Sequence, residues 1–305
     1  MRGVLDGKVV AITGAGRGIG REIALRCALE GAAIIVNDPG VAQEGDGGDC
    51  GPAQTTTDDI VAAGGRAHAN LANVADPEQA VTIVEDAMRH FGRIDAVVNN
   101  AGILRDAIWH KMSYENWKSV IEVNLTGAFN VSRAATPHFR RQQSGSFIHL
   151  ASTSGLIGNV GQANYSAAKL GLVALSQSIA LDMALSGVRS NCIAPFAWSR
   201  MTSSIPADTP EQKQRVARLQ AMSADKIAPL AAYLASDLSK TVSNQVFCVR
   251  KNEILLFSKP RPIRSIAKVE GWTAMAIAEE VIPALRPGFA RVDEVSAHVF
   301  AYDPI

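Results

Sequence analysis

A chain of 305 residues with a formal net charge of +1, 47% hydrophobic and 19% charged, can bury a large α/β core. That balance offers neither the basic field that nucleic acid requires nor an acidic tail. No apolar run reaches the roughly 20 residues that cross a bilayer, and Met1 to Lys8 leads into a strand without the apolar stretch of a signal peptide. The expectation is therefore a cytoplasmic protein.

In chain order, Lys8 to Thr13 reads as a buried strand, Arg17 to Glu30 as a helix closed by Gly31, and Ala32 to Asp38 as a second strand. Gly40 to Pro52, rich in Gly and Asp, reads as a surface loop ahead of a helix from about Ala53 to Ala63. Arg66 to Asn70 is a weaker third strand. Pro77 to Phe91 is a helix with Asp76 as its cap and proline at its first position. Asp95 to Asn99 and Ser146 to Leu150 are the fourth and fifth strands. The helical stretch between them, roughly Tyr114 to Gln142, is expected to bend or end at Pro137. Ala163 to Ser186 is a long helix, Val188 to Ala194 a sixth strand and Gln245 to Arg250 a seventh. Strands alternating with helices predict a doubly wound, Rossmann-like parallel sheet with helices on both faces.

The four cysteines, Cys27, Cys50, Cys192 and Cys248, are scattered, so reduced thiols are expected rather than a disulfide or metal framework. The six histidines are equally dispersed, none paired with another at helical ligand spacing, and no metal site is expected.

The turn Thr13-Gly14-Ala15-Gly16-Arg17-Gly18-Ile19-Gly20 joins the first strand to the first helix. Glycines there permit positive φ and let backbone N–H groups approach a pyrophosphate, to which the helix N-terminus adds partial positive charge. Asp38 closes the second strand. A carboxylate there accepts from adenosine ribose hydroxyls and repels a 2′-phosphate, which points to NAD. Asp38-Pro39 is also a turn signal, and Arg17 offers a contact that would suit NADP. Residues 1–258 thus read as a dinucleotide-binding domain. Residues 259–305 carry Pro260, Pro262, Pro283 and Pro287 and read as an extension with one amphipathic helix over Ala274 to Ala284, packed on this subunit or on a neighbour.

Tyr165 and Lys169 stand four apart in a helix and so share a face. An ammonium beside a tyrosine favours the phenolate and makes it usable as a general base. Ser152 follows the fifth strand, at the carboxyl edge where open α/β sheets bind ligands, and can hydrogen-bond a substrate oxygen.

Over about residues 5 to 255 the chain resembles the short-chain dehydrogenase/reductase family. The likeness rests on the glycine turn, Asn99-Asn100-Ala101-Gly102, Asn124, Ser152 and Tyr165-Ser166-Ala167-Ala168-Lys169, in order and in register. It implies an NAD(P)-dependent oxidoreductase with Tyr165 as general acid/base. Lys169 would bind the nicotinamide ribose and lower the tyrosine pKa, Ser152 would orient the carbonyl, and Asn124 would hold a relay water. Asn124 also fits as a buried polar residue at a helix kink. Asn100, Ala101 and Gly102 would line the adenosine side or form a structural turn. Asn73-Val74 stands where relatives carry Asp-Val against the adenine, while Pro195, Ser199 and Met201 would border the nicotinamide. The resemblance further implies a homotetramer or, failing that, a dimer.

Val36-Asn37-Asp38, Phe91-Gly92-Arg93-Ile94-Asp95, Leu104-Arg105-Asp106 and Gly161 to Gly171 narrow the likeness to the (3R)-hydroxyacyl-CoA dehydrogenase domains of the type 2 peroxisomal multifunctional enzymes and their single-domain bacterial relatives. A 3-hydroxyacyl-CoA or hydroxysteroid-like substrate is the leading expectation. An NADPH-linked carbonyl reductase and a non-catalytic nucleotide-sensing or scaffold protein are the alternatives. Where most of the family has Pro-Gly, Pro195 is followed by Phe196, Ala197 and Trp198. Phe196, Trp198 and Met201 can wall an apolar substrate pocket or pack as core, under a lid over about 196–226 that includes Ile205 and Met222. Lys213, Arg215 and Arg218 fit a solvated helix face better than a CoA-phosphate site.

Overall fold

The computed structural model describes residues 3–40, 51–197 and 222–304, with a few isolated positions between 209 and 220. Trp198, Ser199, Met201, Ile205, Arg215, Arg218 and Cys50 lie outside the described residues, as does most of the expected lid.

One sheet organises the chain. Its strands are β1 (Val9–Thr13), β2 (Ala33–Asn37), β3 (Arg66–Asn70), β4 (Ala96–Asn99), β5 (Gly145–Leu150), β6 (Val188–Phe196), β7 (Val246–Arg250) and β8 (Glu253–Leu256). They lie in the order β3-β2-β1-β4-β5-β6-β7-β8. The first seven are parallel, and β8 returns antiparallel on β7 through a turn in which Lys251 has φ 56°. The expected seven strands are all present and β8 is an addition. It has only four residues, alternately half-buried and exposed, which is the signature of an edge rather than of a buried strand. The strand order reverses direction between β1 and β4, so the crevice at the carboxyl ends of those strands is the topological switch point of the sheet.

β1, β2 and β4 are buried at every position, as strands covered on both faces must be. One face packs α1 (Gly18–Leu29) and α8 (Ala228–Ala235) around Ile12, Ile34, Ile148 and Ile193. The other packs α3 (Pro77–Phe91) and α5 (Gly127–Gln142), with the Phe139 and Phe147 rings 4.9 Å apart. The α3 boundaries follow from local chemistry. Asp76 accepts from the Glu78 and Gln79 amides, Pro77 opens the helix, and Gly92 closes it at φ 76°.

The stretch between β4 and β5 departs from expectation. Pro137 lies inside α5, which continues to Gln142. The irregularity is a π-type turn, Glu122–Thr126, between α4 (Tyr114–Ile121) and α5. Asn124 occupies it and donates from Nδ2 to the carbonyls of Val120 and Ile103, each at 3.0 Å. A side chain inserted into the backbone ladder is a recognised cause of such an insertion. Among the described residues, no helix is long and apolar enough to cross a membrane.

Candidate active site

The glycine turn sits at the carboxyl end of β1, with Gly14 at φ 62° and Gly18 at φ 55°. A Cβ on Gly16 would fall 2.7 Å from Pro52 Cβ, and one on Gly20 would fall 2.2 Å from the Gly14 carbonyl oxygen. The turn is clamped from β4. Asn100 Nδ2 donates to the Thr13 and Gly14 carbonyls at 2.9 Å, and Thr13 Oγ1 accepts from the Asn100 and Ala101 amides at 3.0 Å. Ile19 packs half-buried on the core. No acidic residue stands in the first turn of α1, so the helix's own side chains leave its positive end open. These residues fit a bound pyrophosphate: a backbone cradle too close for side chains, at a helix N-terminus.

Asp38 accepts from the Gly16 amide at 3.0 Å and from the Gly40 amide at 2.8 Å. It therefore forms the expected turn and also stands against the cradle. Asn73 Oδ1 accepts from the Ala75 amide at 3.0 Å and braces the approach to α3, while Val74 is buried with its carbonyl receiving Asn130 Nδ2 at 3.0 Å.

The second cluster joins β5 to α7 (Ala163–Asp182). Ser152 caps the short α6 (Thr153–Leu156), its Oγ accepting from the Ser154 amide at 3.1 Å, and it stands close enough to the Tyr165 hydroxyl to favour its ionisation. Lys169 is buried and donates to the Leu150 carbonyl at 2.7 Å, its Nζ 5.5 Å from the Tyr165 ring centre. Asn124 Oδ1 is buried without a hydrogen-bond partner. It points into the space beside Gly102, where an added Cβ would lie 2.5 Å from it and 3.7 Å from Lys169 Nζ. Asn124, Ser152, Tyr165 and Lys169 are thus brought together, next to Gly102 and the clamped turn.

Asn164 had no role in the sequence reading, yet it aims the tyrosine. Its Nδ2 donates to the Arg105 carbonyl at 2.9 Å and the Asn116 carbonyl at 3.2 Å, and its Oδ1 accepts from the Tyr165 amide at 2.8 Å. Its place immediately before Tyr165 was the available signal. Pro195 and Phe196 end β6. The Phe196 ring meets Phe300 at 4.8 Å between centres, so it packs on the C-terminal segment. Met222 is buried.

Burial governs the charges. The Tyr165 hydroxyl is pushed up to about 12 by burial, with the Ser152 hydrogen bond acting against it and the Asp106 carboxylate adding to it. Burial brings Lys169 down to about 8. Desolvation of the phenolate dominates at Tyr165, and Lys169, whose hydrogen bond goes to the Leu150 carbonyl, is not among the groups that shift it here. Beneath the site His149 is held neutral, its pKa lowered to about 3 by burial and then by Lys169; its Nδ1 lies 3.2 Å from Asn99 Nδ2.

Away from this edge, β3 and α3 gather His68, Asp86 and His90. The imidazole rings stack at 3.7 Å, and the Asp86 oxygens accept from Asn70 at 2.7 Å and Arg89 at 3.1 Å. Cys27, Cys192 and Cys248 are buried free thiols.

The family profile described as short chain dehydrogenase matches residues 8–209. The chain is 42% identical over 234 residues to the peroxisomal multifunctional enzyme type 2 of Drosophila melanogaster, covering 76% of this chain and 37% of that enzyme, so it spans little more than a third of that relative. It is 39% identical over 244 residues to a 3-oxoacyl-[acyl-carrier-protein] reductase of Staphylococcus aureus, covering 79% of this chain and 96% of the relative. A crystal structure of a short chain dehydrogenase from Mycobacterium avium superposes with a TM-score of 0.83 at 38% identity, over 96% of this chain and 99% of the other. The chain belongs to the short-chain dehydrogenase/reductase family of oxidoreductases.

Proposed function

We propose that the protein interconverts a secondary alcohol and a ketone by hydride transfer, with NAD as the hydride carrier and a 3-hydroxyacyl-CoA or hydroxysteroid-like compound as substrate. The observation that carries this reading is the Tyr165 hydroxyl beside Ser152, with Lys169 Nζ 5.5 Å from its ring centre, at the sheet edge that holds the glycine turn.

The turn from Gly14 to Gly20, with Arg17 and Ile19, would hold the pyrophosphate, Asp38 the adenosine ribose, and Asn100 to Gly102 the adenosine side. Asn73 and Val74 would face the adenine, and Lys169 and Pro195 the nicotinamide half. A dinucleotide held by these residues would supply hydride chemistry. Ser152 orients the substrate oxygen by a hydrogen bond, and Tyr165 gives that oxygen its proton in reduction and removes it in oxidation. Lys169 restores the proton to Tyr165. The unpartnered Oδ1 of Asn124 accepts a hydrogen bond from the water that reloads the lysine, since a buried carbonyl oxygen without a partner is costly. A phenol held at about 12 stays protonated at neutral pH, so it is ready as the acid and reduction needs no prior ionisation.

The test is a panel of acyl-CoA thioesters, free hydroxysteroids and simple secondary alcohols with their ketones, run with NADH/NAD and NADPH/NADP and read by absorbance of the reduced cofactor. We expect turnover of a thioester or steroid, with NAD(H) preferred at least tenfold in kcat/KM because the Asp38 carboxylate repels a 2′-phosphate. Equal inertness toward every thioester and steroid would remove the substrate reading, and a preference for NADPH would show that Arg17 outweighs Asp38. The S. aureus relative's name, a 3-oxoacyl reductase, supports an acyl thioester and leaves NADPH-linked ketone reduction as the second reading.

A further inference from the structure

The C-terminal segment returns to the carboxyl edge of the sheet and touches the ends of three adjacent strands. At β5, Ser296 Oγ donates to Thr153 Oγ1 at 2.7 Å, and the Ser296 amide donates to the Gly158 carbonyl at 3.2 Å. Thr153 is the neighbour of Ser152. Gly158, at φ 123°, lies in the loop that runs from α6 to α7 and so separates Ser152 from Tyr165. At β6, Phe196 meets Phe300 edge-on. At β7, Arg250 donates through NH2 to the Phe300 carbonyl at 3.1 Å and to the Tyr302 carbonyl. Its guanidinium also lies 4.4 Å from the Tyr302 ring centre, 5.8 Å from Phe300 and 5.9 Å from Phe196.

Arg250 is 4% exposed. A buried guanidinium is costly unless its charge and its N–H groups are met. Glu253 lies 3.7 Å away on β8 and meets part of the charge. Both carbonyl acceptors and two of the three aromatic faces come from residues 300 and 302. Nη2 thus ties the segment to β7, Nε and Nη1 having no hydrogen-bond partner among the described residues, and the segment in turn spans from the end of β7 to the loop between Ser152 and Tyr165.

We propose that residues 296–302 form a clasp across the carboxyl ends of β5, β6 and β7, with Arg250 as its positioning residue. The clasp holds the Ser152–Tyr165 loop and Phe196 as the fixed walls against which a bulky alcohol or ketone binds. This rests on the reading of Tyr165 and Ser152 given above. The glycine turn and Asp38 lie at the ends of β1 and β2, on the far side of the switch point, so the clasp acts on the substrate side and leaves the adenosine side alone.

The test combines hydrogen exchange with kinetics on the full chain. In Arg250→Met, amides over residues 151–162 exchange at least tenfold faster, KM for a thioester or steroid rises at least tenfold with kcat within about threefold, and NADH affinity stays within about twofold. Arg250→Lys recovers part of the protection. Ser296→Ala, which keeps the β7 anchor, gives a smaller increase in exchange over the same residues, and it carries the exchange measurement if Arg250→Met does not fold. Unchanged exchange over 151–162 in a folded variant would overturn the clasp, as would KM and NADH affinity moving together. If the unaltered enzyme turns over no alcohol or ketone, the functional reading fails, while the exchange result still decides the clasp.

Discussion

Tyr165→Phe is expected to lower turnover in the ketone-reducing direction by about a thousandfold, the range in which a positioned general acid acts. The variant removes one hydroxyl and keeps the ring on its face of α7. NADH affinity should stay within about twofold, because the glycine turn and Asp38 are untouched. Two physical losses add up. The substrate oxygen loses its proton donor, and Ser152 loses the neighbour with which it would hold that oxygen. A second substitution, Ser152→Ala, should cost much less in the Tyr165→Phe background than alone, since groups acting as one unit are not additive. Stopped-flow turnover with equilibrium binding of NADH checks both claims; a fall of less than tenfold would mean that another group supplies the proton. The same phenol makes alcohol oxidation pH-dependent. Oxidation needs the phenolate, and a hydroxyl pushed up by burial ionises only as pH rises, so the oxidation rate should climb through the alkaline range while reduction stays level.

Gly20→Ala should weaken NADH binding by roughly fivefold to a hundredfold. The new methyl would lie 2.2 Å from the Gly14 carbonyl oxygen and 2.5 Å from Asn100 Nδ2, the atom that clamps the turn. The carbonyl cannot yield without moving backbone, nor the amide without releasing its hydrogen bonds to Thr13 and Gly14, and overpacking of this kind costs about 1–3 kcal/mol, where 1.4 kcal/mol is a factor of ten in affinity. Gly92→Ala is the control. Gly92 has φ 76° at the end of α3, but an added Cβ meets nothing within 4 Å. It should lower thermal stability slightly and leave NADH binding unchanged. Titrating both variants by fluorescence of the reduced cofactor distinguishes a steric cradle from a generic glycine effect. Equal affinities for Gly20→Ala and the parent would remove the cradle from the account.

The features that sequence reading recovered are those set by neighbours along the chain. α3 shows why: its cap, first-position proline and closing glycine lie within a few residues of their helix, and each acts there. Strand periodicity marked seven strands for the same reason. Helical spacing puts Tyr165 and Lys169 on one face, but what singled them out was their order and register with Ser152, Asn124 and the glycine turn, whose glycines run straight into α1.

What escaped depends on groups distant in sequence. The kink at Asn124 was anticipated, but not its form: a π insertion held through the Ile103 carbonyl has no local pattern, and Pro137, expected to bend or end the helix, lies inside α5, which runs on to Gln142. Asp86 and His90 are four apart on α3, but His68 joins them only once β3 lies alongside. The Arg250 anchor needs residues about fifty positions later. The direction of the tyrosine shift could not be read either, since it turns on how deeply the hydroxyl is buried.

The central claim is that a hydride moves directly between a dinucleotide held by the glycine turn and the carbinol carbon of a substrate held by Ser152 and Tyr165. The most direct measurement is reduction of an active ketone with NADH carrying deuterium at the transferring position of C4, followed by mass spectrometry and NMR of the alcohol. The account predicts one deuterium on the carbinol carbon, with the hydroxyl proton drawn from solvent. An alcohol without deuterium at that carbon, formed at the same rate, would contradict it.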